Sequence, residues 1–137
     1  MIHRRERAQG LVELSIILPG VMLALMILVG LGVVLRADGS VAGVAVEAAR
    51  SAALATDAAA AKKAASDEAT LVGMGYGLSN GSLKLATVDT SNFRRGGDVR
   101  VVVTYVVPIG QIPMVGWQAI TLQHEGFAPV DPNRTFR

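Results

Sequence analysis

The stretch LVELSIILPGVMLALMILVGLGVVLR, residues 11–36, decides how the rest of the chain is read. From Leu14 to Leu35 it runs 22 residues without a charge. As a helix at about 1.5 Å per residue this covers roughly 33 Å, slightly more than the hydrocarbon core of a bilayer. A soluble domain made from a chain of 137 residues has too little mass to wrap such a helix on all sides, so the stretch predicts a transmembrane helix. A cleaved signal peptide would carry a shorter apolar region, about 7–15 residues, closed by a small-x-small site. Here the run closes on Leu35, Arg36, Ala37 and Asp38. Flanking cations set the direction, because lysine and arginine are retained on the cytoplasmic side. Arg4, Arg5 and Arg7 precede the span, whereas only Arg36 follows it, beside Asp38. The N-terminus is therefore expected in the cytoplasm, and the residues after the span outside.

Composition agrees with one span and one small domain. Hydrophobic residues make up 51% of the chain while aromatics make up only 4%, so the apolar share is mostly alanine, valine and leucine. The formal charge is +2 and no run of five like charges occurs, which leaves no electrostatic footprint for nucleic acid. The chain has no cysteine; disulfides, thiolate metal sites and a cysteine nucleophile are excluded, and the fold must hold by packing alone or with neighbouring subunits.

Beyond the span, VAGVAVEAARSAALATDAAAAKKAASDEATL (residues 41–71) is alanine-rich and free of proline, which predicts a helix. It is expected to continue the membrane helix outward, with a bend at Gly39. Glu47 and Arg50, three apart, can pair on one face. Val44, Ala48, Ser51 and Ala55 recur at helical spacing and form a narrow small-residue seam. Gly73, Gly75, Gly77 and Gly81 end the helix in a turn-rich connection. No strand precedes this glycine cluster and no Lys-Ser/Thr pair follows it, so it is not a phosphate loop.

Three strands are then expected, at Leu83–Val88, Val99–Val107 and Ala119–Phe127. The second carries the clearest alternation. Val99, Val101, Val103, Tyr105 and Val107 share one face, and Arg100, Val102, Thr104 and Val106 share the other. SNFRRGG (residues 91–97) reads as the hairpin connection before it. Pro108–Trp117 is apolar yet broken by Pro108 and Pro113, suited to covering the core or touching a bilayer surface, where tryptophan is favoured. The fold class is thus α+β: a long N-terminal transmembrane helix extended outward and packed against a small antiparallel β-meander. The expected organisation is a cytoplasmic leader (1–13), the span (14–35), an alanine-rich outer helix (36–72), a three-stranded region (73–127) and an extended tail (128–137).

Catalytic chemistry is hard to find. The two histidines, His3 and His124, lack neighbouring ligands for a metal. No nucleophile-elbow pattern supplies a serine for His124, and His124 beside Glu125 reads as a surface residue. No cofactor, metal or catalytic residue is assigned, and an enzyme is not expected. Within the span, Pro19 removes a backbone hydrogen bond and should kink or loosen the helix. Gly20, Gly30 and Gly32 offer low-relief patches for a second helix.

Glu13 is the residue out of place. An ionisable group at the edge of a membrane span costs energy and is a functional candidate, although the helix macrodipole and hydration beside Arg7 also favour a carboxylate there. The stretch RERAQGLVELSIILP resembles the N-terminus of TadE-like pilus proteins, the pseudopilins of tight-adherence (Flp-type) systems. Arg7-Ala8, Val12-Glu13 and Leu18-Pro19 fall at the family's places, and VEAARSAAL (residues 46–54) is similar to its alanine- and arginine-rich stretch after the span. The resemblance covers residues 4 to 55. It implies a type IV pilin-like fold, residence in the bacterial inner membrane, and assembly into a pilus as a minor pilin. It also implies prepilin peptidase, an assembly ATPase, membrane platform proteins and other pilin subunits as partners, besides membrane lipid. Carried over, the peptidase cut falls between Ala8 and Gln9, making Glu13 the fifth residue of the mature chain and a docking charge for the free amine of the next subunit. Two positions depart from the pattern: Ala8 stands in place of glycine, and Leu14 in place of an aromatic. The competing classes are a single-pass membrane protein whose outer domain binds a ligand or partner unrelated to pili, and a membrane-anchored enzyme.

Overall fold

A computed structural model describes residues 2–78, 82–107 and 119–133, with the side chains of residues 2–12, 85 and 86 left aside. The elements run α1 (Ile2–Ala53), α2 (Ala58–Gly75), β1 (Leu83–Asp89), β2 (Asp98–Val107) and β3 (Ile120–Pro129). The class is α+β, a long apolar N-terminal helix with a small antiparallel sheet. The chain divides into two compact units, Met1–Val34 and Leu35–Arg137. Gly81, the connection Pro108–Trp117 and the last four residues of the tail lie outside the described residues.

In the first unit, side chains from Glu13 to Val29 are all exposed, Ile16 at 72%. A helix surface this apolar and open on every side favours an apolar surrounding.

The second unit begins with the remainder of α1. Helical structure continues through Gly39, and Ser40 Oγ donates to the Arg36 carbonyl at 2.9 Å. The alanine-rich stretch expected as one helix instead breaks at Leu54–Asp57 and restarts as α2. Asp57 explains the restart. Its backbone is extended and its side chain accepts from the Ala60 N–H at 2.8 Å, an N-cap that outweighs alanine's preference for continuing the helix. Asp57→Ala is expected to cost about 1 kcal/mol of stability in urea unfolding and to fray the start of α2. At the other end, Gly77 takes φ +75° and Leu78 N–H donates to the Gly73 carbonyl at 2.9 Å, the Schellman closure that only a residue tolerant of left-handed backbone allows. The break lets α2 fold back along α1, with Ser51 Oγ donating to the Ala64 carbonyl at 3.5 Å and Tyr76 against Gly43.

The sheet order is β1-β2-β3, antiparallel throughout. The alternation read in β2 is realised: Val99, Val101, Val103, Tyr105 and Val107 are buried, and the intervening residues are not. Across the register, Val101 faces Val88 on one side and Gly126 on the other. A bulge between Leu85 and Thr87 shifts β1 by one residue; without it Val88 would point to solvent. In the β1–β2 connection the Ser91 N–H donates to Asp89 at 2.9 Å and holds that carboxyl below its ordinary 3.8. Val130 follows β3 and exchanges backbone hydrogen bonds with Gly96 and Gly97, tying the start of the tail to the hairpin.

The core of this unit is small-residue packing. Val41, Val44, Val99, Val101, Val103, Val107 and Val130 are the largest fully buried side chains, joined by Ala45, Ala48, Ala49, Ala52, Ala61 and Ala65. A fully buried valine contributes roughly 1.5–3 kcal/mol and an alanine methyl about 0.8 kcal/mol. The valines therefore carry the energy, and the alanines set how closely the backbones approach.

Candidate functional site

Two regions carry the chemistry that the sequence singled out. One is the apolar half of α1. It is the one helix among the described residues long and apolar enough to cross a membrane, starting at Glu13. Length and composition of this kind fit a membrane span or a signal sequence alike. Ala8 and Gln9 lie on the helical backbone of α1, ahead of the residues whose side chains are described. Glu13 is exposed on α1, one turn or so after them.

Pro19 sits inside the helix, and helical structure continues on both sides of it. It supplies no N–H for the backbone ladder, so the helix is weaker there than at its neighbours. A methyl group added at Gly20 or Gly32 would meet nothing within 4 Å in the chain. Their smallness is thus not required by the chain's own packing and leaves shallow places on an exposed surface. Gly30 is half-covered.

The second region is the junction between the outer part of α1 and β3, which sequence reasoning missed. His124 Nε2 lies 2.7 Å from Asp38 Oδ1, across 86 residues of sequence. A carboxylate only accepts, so this is a hydrogen bond in the tautomer that carries its proton on Nε2. Both side chains are partly exposed, His124 at 31% and Asp38 at 46%. His124 was read as a surface residue beside Glu125; the sheet turns it inward, level with Val103, while Glu125 faces outward and lies 3.6 Å from Arg100. The alternation of β3 already separates these two neighbours, but nothing local identifies Asp38 as the partner. Glu47 and Arg50 do pair, at 3.1 Å, on the exposed side of α1.

Next to this junction the sheet comes close against the helix. A Cβ at Gly126 would be driven into the carbonyl of Ala45 and to within 2.8 Å of the Val46 nitrogen. Gly126 and the Asp38–His124 pair together pin β3 along α1. For the pair, a double-mutant cycle of Asp38→Ala and His124→Ala is expected to give a coupling of about 0.5–1.5 kcal/mol, modest because water reaches both groups. A coupling of zero in urea unfolding would remove the pair from the set of contacts that hold the sheet.

Among the described residues no group of three or more histidine, cysteine, aspartate or glutamate side chains is gathered as a metal would need. No protein-family model, curated protein or solved structure matches the chain.

Proposed function

We propose that the chain is a minor pilin or pseudopilin of a Tad/Flp-type apparatus, acting by assembly through its N-terminal helix rather than by catalysis. The observation that carries the reading is an apolar helical surface, exposed from Leu14 to Val29, that begins at a carboxylate, Glu13. Lipid alone would satisfy the apolar side chains. It would not call for an acid at the boundary, whereas a second helix bearing a free amine would. The open surfaces at Gly20 and Gly32 support close helix approach. The resemblance of residues 4–55 to TadE-like proteins supports the same role.

In this reading the N-terminus is cytoplasmic, the second unit lies outside the inner membrane, and prepilin peptidase cuts between Ala8 and Gln9. Platform proteins and an assembly ATPase then handle the subunit. N-terminal sequencing of the protein recovered from membranes tests it. A start at Gln9 is expected of a processed pseudopilin, and a start at Met1 marks a retained variant in which Ala8 has blocked the cut. A start beyond Leu35 shows that the helix is a removed signal, and the reading falls.

A further inference from the structure

We propose that the free edge of β3 takes up an extended segment of a partner protein as an added strand. That strand turns apolar residues onto the flank of α1 and sets a cation beside Glu125. The inference lies wholly within Leu35–Arg137 and stands independently of what the apolar half of α1 does.

The edge follows from hydrogen-bond parity. Along a strand in a ladder, successive residues aim their N–H and C=O groups to opposite sides. In β2 the Val106 N–H donates to the Ser82 carbonyl, on the β1 side. Just before β2 the Gly97 carbonyl accepts from the Val130 N–H, on the β3 side. Odd-numbered residues of β2 therefore face β3, and the register between the two runs unshifted from Asp98↔Pro129 to Val107↔Ile120. It follows that the even-numbered residues of β3 bond to β2. Thr121, Gln123, Glu125 and Phe127 point their backbone groups away from the sheet. Pro129 falls on the same open side, the place in an edge strand where a missing N–H disturbs no ladder. Among the described residues none of the four has a backbone partner, and all four are exposed.

Sheet edges are usually blunted by bulges, prolines or lysines. The other edge is: β1 is bulged between Leu85 and Thr87 and carries exposed Lys84. From Thr121 to Phe127, β3 has no bulge, proline or lysine. An edge left open in this way is the surface that β-augmentation uses.

Beside the edge lies an apolar floor. Around α1, Val46 and Ser51 sit on opposite sides of Ala45, about 100° one way and about 120° the other. Ser51 bonds to α2, and Gly73 of α2 lies against Leu83 of β1. With the strand order β1-β2-β3, Val46 is therefore on the side of the free edge. Val46 is 37% exposed, and Ala42, one turn before it, is half-buried. Alternate side chains of an added strand would cover both. On the opposite face, Glu125 is the one charged side chain in the open row. Its contact with Arg100 is long, at 3.6 Å, and that arginine also bonds to Asp98 at 3.3 Å. Arg50, one turn beyond Val46, is held by Glu47. A lysine or arginine on the added strand is thus the cross-strand partner that Glu125 lacks.

The test titrates the full-length protein, in detergent micelles, into a fluorescein-labelled peptide of sequence VTVKVTV and reads anisotropy. Saturable binding is expected, and N-methylation of alternate peptide bonds should weaken it about tenfold or more, since several hydrogen bonds go together. The methylated peptide also controls for uptake by the micelle. Gln123→Pro should weaken binding to the same degree while leaving urea unfolding close to wild type, because the lost N–H faces outward. Thr121→Pro repeats the measurement in case Gln123→Pro disturbs β3. A peptide with glutamate in place of lysine should bind worse to the wild type than to Glu125→Lys. No saturable binding, equal binding of the methylated peptide, or full binding to both proline variants overturns the proposal. Self-association that Gln123→Pro abolishes and the peptide cannot displace would seat a second copy at the edge, and the partner strand would be ruled out.

Discussion

Replacing Gly126 with alanine is expected to cost about 3 kcal/mol or more of stability. Overpacking a core typically costs about 1–3 kcal/mol when side chains can shift to make room. At Gly126 they cannot. The added carbon would occupy the place of the Ala45 carbonyl and crowd the Val46 nitrogen, and both belong to the backbone of α1. Relief requires moving the whole strand off the helix, which uncovers Val99, Val101 and Val103 and breaks the His124–Asp38 contact. Gly73→Ala is the internal control. There the added carbon meets only the Leu83 side chain, foremost its outer methyl, the far end of a flexible side chain, and alanine gains up to about 1 kcal/mol over glycine in a helix. Urea unfolding of the full chain in detergent micelles should place Gly73→Ala near wild type and Gly126→Ala far below it. Equal stability of the two would mean that β3 does not approach α1 as described.

The same glycine shows where the sequence was legible and where it was not. A glycine inside a strand signals either a bulge or a close backbone approach. In TLQHEGF the residue was in plain view, but its meaning depends on Ala45, 81 residues earlier. The elements read correctly were those whose signal is local. β2 alternates without exception because one face meets the core and the other does not. The α1 apolar run needs only counting.

The readings that failed set two local signals against each other. Alanine propensity from Val41 to Leu71 argued for one helix, yet Thr56-Asp57 before four alanines is an N-cap signal. The cap prevailed because α2, once folded back, buries Ala61, Ala65 and Ala69. The bulge after Leu85 has no signature in LKLATVD. It is imposed by the need to turn Val88 toward Val101. Of the site residues, Glu13, Pro19 and the glycines were visible as exceptions within a uniform run. The Asp38–His124 pair was not, because two unremarkable surface types become a contact only through the register of β3 on α1.

Glu13→Ala is expected to abolish co-assembly with pilin subunits while leaving the fold of the second unit unchanged. The pilin reading has Glu13 meet the free amine of a neighbouring subunit inside a bundle of apolar helices. Removing one partner of a buried charge pair costs about 3–5 kcal/mol, because the other charge is left stranded. At about 1.4 kcal/mol per tenfold, that is a loss of roughly two to three and a half orders of magnitude in association. The alternative accounts predict much less. If Glu13 only complements the helix dipole, its loss costs about 0.3–1 kcal/mol and association persists within several-fold. The substitution series separates the two. Glu13→Gln keeps size and hydrogen bonding but removes the charge, so it should fail as Glu13→Ala does if pairing is the cause. Glu13→Asp keeps the charge on a shorter arm and should retain part of the assembly. Because Glu13 is exposed within the single chain, none of these changes should alter unfolding of the sheet. The measurement is recovery of each variant with pilins after crosslinking in membranes. Wild-type recovery of Glu13→Gln would end the docking role, whatever the N-terminus proves to be.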